Sequence, residues 1–154
     1  MKVLKVIAVG KVKEKFITDG ILEYTKRINA FDKFQLIEVK EFNQKDFKRN
    51  IYDEGKAILQ EINDKDFVVT LEILGKMLSS EELAREITKI KNYHSSQIVF
   101  VIGGSNGLDD EVIKRSNYHL SFSKLTFPHQ LMRLILVEQI YRAFTIINNQ
   151  EYHK

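Results

Sequence analysis

Three short segments of this 154-residue chain hold the residue types that ligand binding and proton transfer require. The first is Gly103–Gly107, GGSNG. Its glycines let the backbone turn tightly and approach a ligand, and a helix start beyond it offers free N–H groups to a nucleotide-like molecule. It matches neither G-x-G-x-x-G nor a P-loop, so a plain glycine-rich turn is the alternative. The second is Ser121–Arg133, SFSKLTFPHQLMR. Pro128 suits the first turn of a helix, where its missing N–H costs nothing, and His129 and Arg133 then share a face one turn apart. Histidine is the commonest general acid or base, although a hydrogen-bonded structural histidine and a solvated arginine account for the same residues. The third is the terminus, Tyr152-His153-Lys154, which joins an aromatic platform, a proton acceptor and a cation. Stacking, base chemistry and phosphate contact each need one such group, while a frayed polar tail is the ordinary alternative. Upstream, Glu138 and Arg142 stand four residues apart in the order that favours a salt bridge.

Strands and helices in alternation must position these segments. The β-branched runs Val3–Val9, Phe34–Val39, Phe67–Ile73, Ile98–Ile102 and Tyr118–Phe122 are the expected strands. Ile98–Ile102 is apolar throughout, as a strand covered on both faces must be. Helical periodicity fills Lys15–Asn29, Lys45–Ile62, Ser79–Tyr93, Asp109–Arg115 and Pro128–Ile147. Ser79 with Glu82 forms a capping box, and Asp109 caps the short helix. The alternation gives βαβ units, hence an α/β fold with a mainly parallel sheet and helices on both faces, in one domain spanning 1–154. Ligands of such sheets sit beyond the carboxyl ends of the strands. That places the loops Ile73–Ser79, Gly103–Gly107 and Ser123–Pro128 where they can converge.

Composition narrows the chemistry. The absence of cysteine excludes disulfides, Cys-ligated zinc, iron–sulfur clusters and thiolate nucleophiles. A balance of 24 basic against 21 acidic residues, +3, permits an anionic partner without demanding one. Residues 1–40 carry 9 basic and 5 acidic groups, 41–123 carry 11 and 14, and 124–154 carry 4 and 2, so the positive excess lies at the two ends. Lys5 interrupts the short apolar start Met1–Val9, which is therefore not read as an export signal, and no apolar run is long enough to span a membrane. Cytoplasm is the expected location. The last helix is apolar almost all round: Met132, Ile135, Leu136, Ala143 and Ile146 occupy one side, Leu134, Val137, Tyr141 and Phe144 the other. A helix of that kind must be covered on every side, and a homodimer through it is expected.

VIGGSNG at 101–107, SFSKLTFPHQLMRLILVEQIYRAF at 121–144 and the terminal EYHK together resemble the ribosomal RNA large subunit methyltransferase H group of the SPOUT methyltransferases. IAVGK at 7–11, the helix with Glu23, Tyr24 and Arg27, and TLEILGKMLSS at 70–80 extend the resemblance along the whole chain. It implies a SPOUT-type parallel sheet of five or six strands with a deep trefoil knot in the C-terminal half. It also implies S-adenosylmethionine as cofactor, S-adenosylhomocysteine as product and no metal. The pocket residues carried over by position are Leu71, Gly103, Phe122, Ser123, Lys124, Leu125, Thr126 and Phe127. The implied reaction is methylation of N3 of a pseudouridine in 23S rRNA of the ribosome, by a homodimer joined through the last helix. His129, Arg142, Tyr152 and His153 are the candidate catalytic residues, and the tail carrying Tyr152–Lys154 is expected at the partner's site. Residues Glu41–Asp53 lack the charged insertion common in the group. A non-catalytic RNA- or ribosome-binding module keeping the SPOUT fold is the alternative. A generic dinucleotide binder would place an acidic residue about 20 positions after the glycine loop, where Ser121–Lys124 has none.

Overall fold

The computed structural model describes residues 3–94 and 97–154. In chain order the elements are β1 (Val3–Val9), α1 (Lys15–Ile28), β2 (Lys33–Val39), α2 (Phe47–Gln60), β3 (Phe67–Met77), α3 (Ser80–Tyr93), β4 (Gln97–Ile102), α4 (Asp110–Arg115), β5 (Tyr118–Ser121) and α5 (His129–Ile147). The five strands form one parallel sheet in the order β2-β1-β4-β3-β5.

Side-chain alternation in the central strands explains why helices cover both faces. In β4, Ile98, Phe100 and Ile102 enter one core with Leu4, Val6 and Ala8 of β1, while Val99 and Val101 enter a second with Ile7 and Val9. The first core is completed by Ile28 of α1, Leu83 and Ile87 of α3, and Leu136 and Ile140 of α5; the second by Ile58 of α2 and Val112 of α4. Each fully buried aliphatic side chain contributes about 1.5–3 kcal/mol. Lys5, in the middle of β1, is buried as well, and its Nζ donates to Glu61 O at the end of α2 at 2.9 Å. That bond satisfies both the cation and a helix carbonyl left without an intrahelical partner.

Two expectations change. The strand expected to end at Ile73 continues to Met77: Leu71 and Lys76 both pair with Leu120, so Glu72–Gly75 is extruded as a bulge. Gly75 allows the strand to resume, because a Cβ there would lie 2.7 Å from the Leu120 backbone. The coverage of α5 also differs. No residue of α5 is exposed, and α1 and α3 flank it within the chain, so much of its all-round apolar surface is covered without a second copy. Gly20 makes the α1 crossing close, since a Cβ there would stand 2.9 Å from Leu134 Cδ1.

Candidate active site

The β3 bulge and the carboxyl ends of β4 and β5 open onto a cleft of about 180 Å³. Of the residues carried over as a cofactor pocket, Leu71, Gly103, Phe122, Ser123, Leu125, Thr126 and Phe127 line it, and Lys124 is exposed outside it. His129, at the start of α5, closes one side together with Met132. The glycine loop is a tight turn in which Gly107 N donates to Gly104 O at 3.1 Å, with Gly107 at φ +86°. A Cβ on Gly103 would lie 2.9 Å from Gly107 O, so this position leaves no room for a side chain. The loop before α5 is held by local bonds, Ser121 Oγ to Ser123 O at 3.1 Å and Leu125 N to Ser123 Oγ at 3.0 Å. A second cavity of about 300 Å³ shares Phe122 and Phe127 as walls and reaches Ser79 and Gln139. Polar backbone at the rim and apolar side chains within are the usual materials of a small-molecule site.

Two carboxylates beside this cleft carry no expectation from the sequence. Glu72, in the bulge, accepts from Thr70 Oγ1 at 2.6 Å and pairs with His119 Nδ1. Glu54 of α2 is buried; its Oε2 accepts from Phe42 N at 3.0 Å, and its Oε1 has no partner among the described residues. Burial pushes the Glu54 carboxyl above the ordinary carboxylate range. Its Oε1 lies 3.8 Å from where a Cβ on Gly104 would sit, directly behind the glycine loop. The signal was present in the sequence: Asn50, Glu54 and Ile58 form a stripe at helical spacing, and a polar pair on a buried stripe needs partners.

Arg142, Tyr152 and His153 come together, but away from the cleft. Arg142 Nε donates to Glu138 Oε1 at 2.8 Å, and its guanidinium lies over the Tyr152 ring, 4.8 Å from the centroid. Tyr152 meets the Tyr141 ring edge-on at 4.8 Å, and its hydroxyl lies 3.4 Å from that of Tyr24. Burial and the Tyr24 hydrogen bond leave the Tyr152 phenol pushed up to about 12, so it keeps its proton at neutral pH. His153 lies between Arg142 Nη1, at 3.1 Å, and Glu81 Oε1, at 2.6 Å. The tail is thus packed and bonded rather than frayed. Arg133 is neither solvated nor in the cleft. It is buried, donates to Val9 O at 3.0 Å and Gly10 O at 3.1 Å, and pairs with Glu38 at 2.6 Å, anchoring α5 to the ends of β1 and β2.

Among the described residues no group of three or more His, Cys, Asp or Glu side chains could hold a metal ion, and no helix is long and apolar enough to cross a membrane. A family model described as predicted SPOUT methyltransferase matches residues 1–153. The chain belongs to the SPOUT methyltransferase family. This SPOUT methyltransferase is 51% identical over 157 residues to the ribosomal RNA large subunit methyltransferase H of Pediococcus pentosaceus, covering 98% of this chain and 99% of that protein. It is 50% identical to the protein of the same name from Bacillus pumilus, with the same coverage. The solved structure of a probable methylase family protein from Haemophilus influenzae Rd KW20 superposes with a TM-score of 0.58 at 14% identity, covering 98% of this chain and 70% of that one, which speaks to the fold alone. The five-stranded parallel α/β architecture therefore has a counterpart among solved structures.

Proposed function

We propose that this SPOUT methyltransferase transfers a methyl group from S-adenosylmethionine to N3 of a pseudouridine in 23S rRNA of the ribosome, acting in the cytoplasm as a homodimer of single-domain chains with a C-terminal trefoil knot. The observation that carries the reading is the convergence of the β3 bulge and the loops after β4 and β5 on one cleft, in a chain half identical along its length to proteins named for ribosomal RNA methylation.

The cleft's materials fit the cofactor. Gly103, which has no room for a Cβ, brings backbone groups to the cavity wall, and Leu71, Phe122 and Phe127 supply apolar cover for a purine. When bound, S-adenosylmethionine supplies a methyl carbon already made electrophilic by its sulfonium, so no metal is required to activate it. The protein's own task is the acceptor. N3 carries a proton, and as it leaves, negative charge spreads onto the flanking carbonyl oxygens. His129 lines the cleft, and an imidazole is a group suited to taking that proton. Arg142 is the cation suited to the developing charge. Tyr152, with its proton retained, suits packing against a base more than taking a proton. Positioning of the two reactants contributes alongside these groups.

The tail cluster and the cleft do not meet within one chain. Both belong to the proposed site, so the tail of one copy must serve the cleft of the other. The exposed Phe16 and Leu22 of α1, the helix packed along α5, extend the apolar surface available to such a partner. The test is incubation of the protein and S-adenosylmethionine with ribosomes that lack the modification, followed by mass-spectrometric mapping. A new methyl on a pseudouridine of 23S rRNA is expected. Cofactor binding by calorimetry without any transfer would instead favour a non-catalytic ribosome-binding role.

A further inference from the structure

The hydrogen-bond directions around His153 determine what its ring can do. A guanidinium only donates. His153 Nδ1 lies 3.1 Å from Arg142 Nη1, so Nδ1 is the acceptor and bears no hydrogen. The single hydrogen of the neutral ring is then on Nε2, which donates to Glu81 Oε1 at 2.6 Å. Both nitrogens are committed. A second proton on Nδ1 would set an N–H against an N–H of Arg142. A ring in this state has no free lone pair to receive a proton from a substrate.

Arg142 is the group these contacts serve. Of its five N–H bonds, Nε–H and one on Nη2 go to Glu138, at 2.8 and 3.4 Å, and one on Nη1 goes to His153. The remaining two have no partner among the described residues, and the guanidinium carbon lies over the Tyr152 ring. Glu138 and His153 therefore fix the plane from two sides, as a group that must meet a developing negative charge in a set orientation requires. Glu81 belongs to the first turn of α3, whose start is fixed by the Ser79–Glu82 capping box, so the carboxylate that orients His153 stands on a rigid element.

We infer that His153 is a positioning residue rather than the proton acceptor: Glu81 holds its ring through the Nε2–H, and its Nδ1 holds Arg142 in the orientation that methyl transfer uses. This rests on the proposed methyl transfer and assigns Glu81 a part in it.

Two measurements on the full-length protein decide it. The first is nitrogen-15 NMR of the His153 ring at neutral pH, which needs no activity. A protonated Nε2 and bare Nδ1 are expected, with tautomers mixing only when both contacts are lost, in the Glu81→Ala, Arg142→Ala double variant; a proton on Nδ1 in the parent protein overturns the inference whatever the enzyme's substrate. The second is steady-state methylation of ribosomes lacking the modification. His153→Asn keeps an acceptor facing Arg142 but cannot take a proton, so it is expected to hold kcat within about tenfold of the parent, whereas His153→Ala falls about 100-fold and both keep the parent KM for S-adenosylmethionine. Glu81→Ala should lower kcat about tenfold and Glu81→Gln, which retains an acceptor oxygen, should restore it. If Asn and Ala at 153 are equally inactive, or Glu81→Ala is fully active, the positioning role is wrong. A parent protein that neither binds the cofactor nor methylates would count against the proposed function, while the tautomer would still stand or fall on its own.

Discussion

The cleft is lined mostly by backbone and apolar side chains, the Gly103–Gly107 turn, Leu71, Phe122 and Phe127, with Glu72 and His129 among its few polar side chains. At the other end of α5 the reverse holds. There Glu81, Glu138, Arg142 and His153 form a chain of alternating charge and polarity, closed by Tyr24, Tyr141 and Tyr152. A surface built from backbone tolerates changes of side chain except where a Cβ cannot fit. A surface built from mutually bonded side chains has no such tolerance, since losing one partner releases the next. The two regions should therefore fail in different ways, and α5, which runs between them, should couple them only through stability.

Removal of Tyr152–Lys154 is the largest expected break. Methylation should be abolished while S-adenosylmethionine still binds with the parent affinity in calorimetry; full turnover by the truncated chain would show that the tail has no part. Gly103→Val is the mirror image. Its side chain has no space against Gly107 O, so binding heat should vanish while circular dichroism stays that of the parent. Arg133→Ala probes the link between the regions. It strips three bonds from the ends of β1 and β2, and urea unfolding should show a loss of about 3–5 kcal/mol. Retained stability would mean that α5 is anchored by its apolar contacts alone.

The smallest effect concerns Glu54. Folding raises its pKa, chiefly by burial, so the folded state favours the protonated carboxyl. That contribution is complete below the ordinary carboxylate range and disappears as pH rises through the raised value. The permanently neutral Glu54→Gln should therefore flatten the fall in stability as pH rises through that raised value, by on the order of 1 kcal/mol for one buried oxygen without a partner. Identical pH profiles for the two proteins would show that Glu54 does not titrate in this way.

Much of this was legible in local pattern. β1 runs from Val3 to Val9 as its β-branched residues require, and the Ser79–Glu82 box starts α3 where its residue types place it. What escaped the sequence depends on distant neighbours. The bulge in β3 exists because Gly75 can touch the backbone of β5, more than 40 residues on. Arg133 is a buried anchor only because the carbonyls of Val9 and Gly10 end their strand beside it. Periodicity marked α5 as apolar all round but not that α1 and α3 are the helices flanking it within the chain, which is a fact of helix order. Two walls of the cleft were readable because their loops follow β4 and β5 of a parallel sheet, whereas the third is the bulge inside β3. The bonding of Glu81 to His153 was not, because 72 residues separate them.

That cleft and tail form one active site across two copies is tested most directly by complementation. Gly103→Val and the chain lacking Tyr152–Lys154 would be co-expressed, and the mixed dimers assayed on ribosomes lacking the modification. If each tail serves the partner's cleft, a mixed dimer regains one complete site, and about a quarter of the parent rate returns to the population. If tail and cleft act within one chain, every chain in the mixture remains defective and no activity returns, which would contradict the two-copy site.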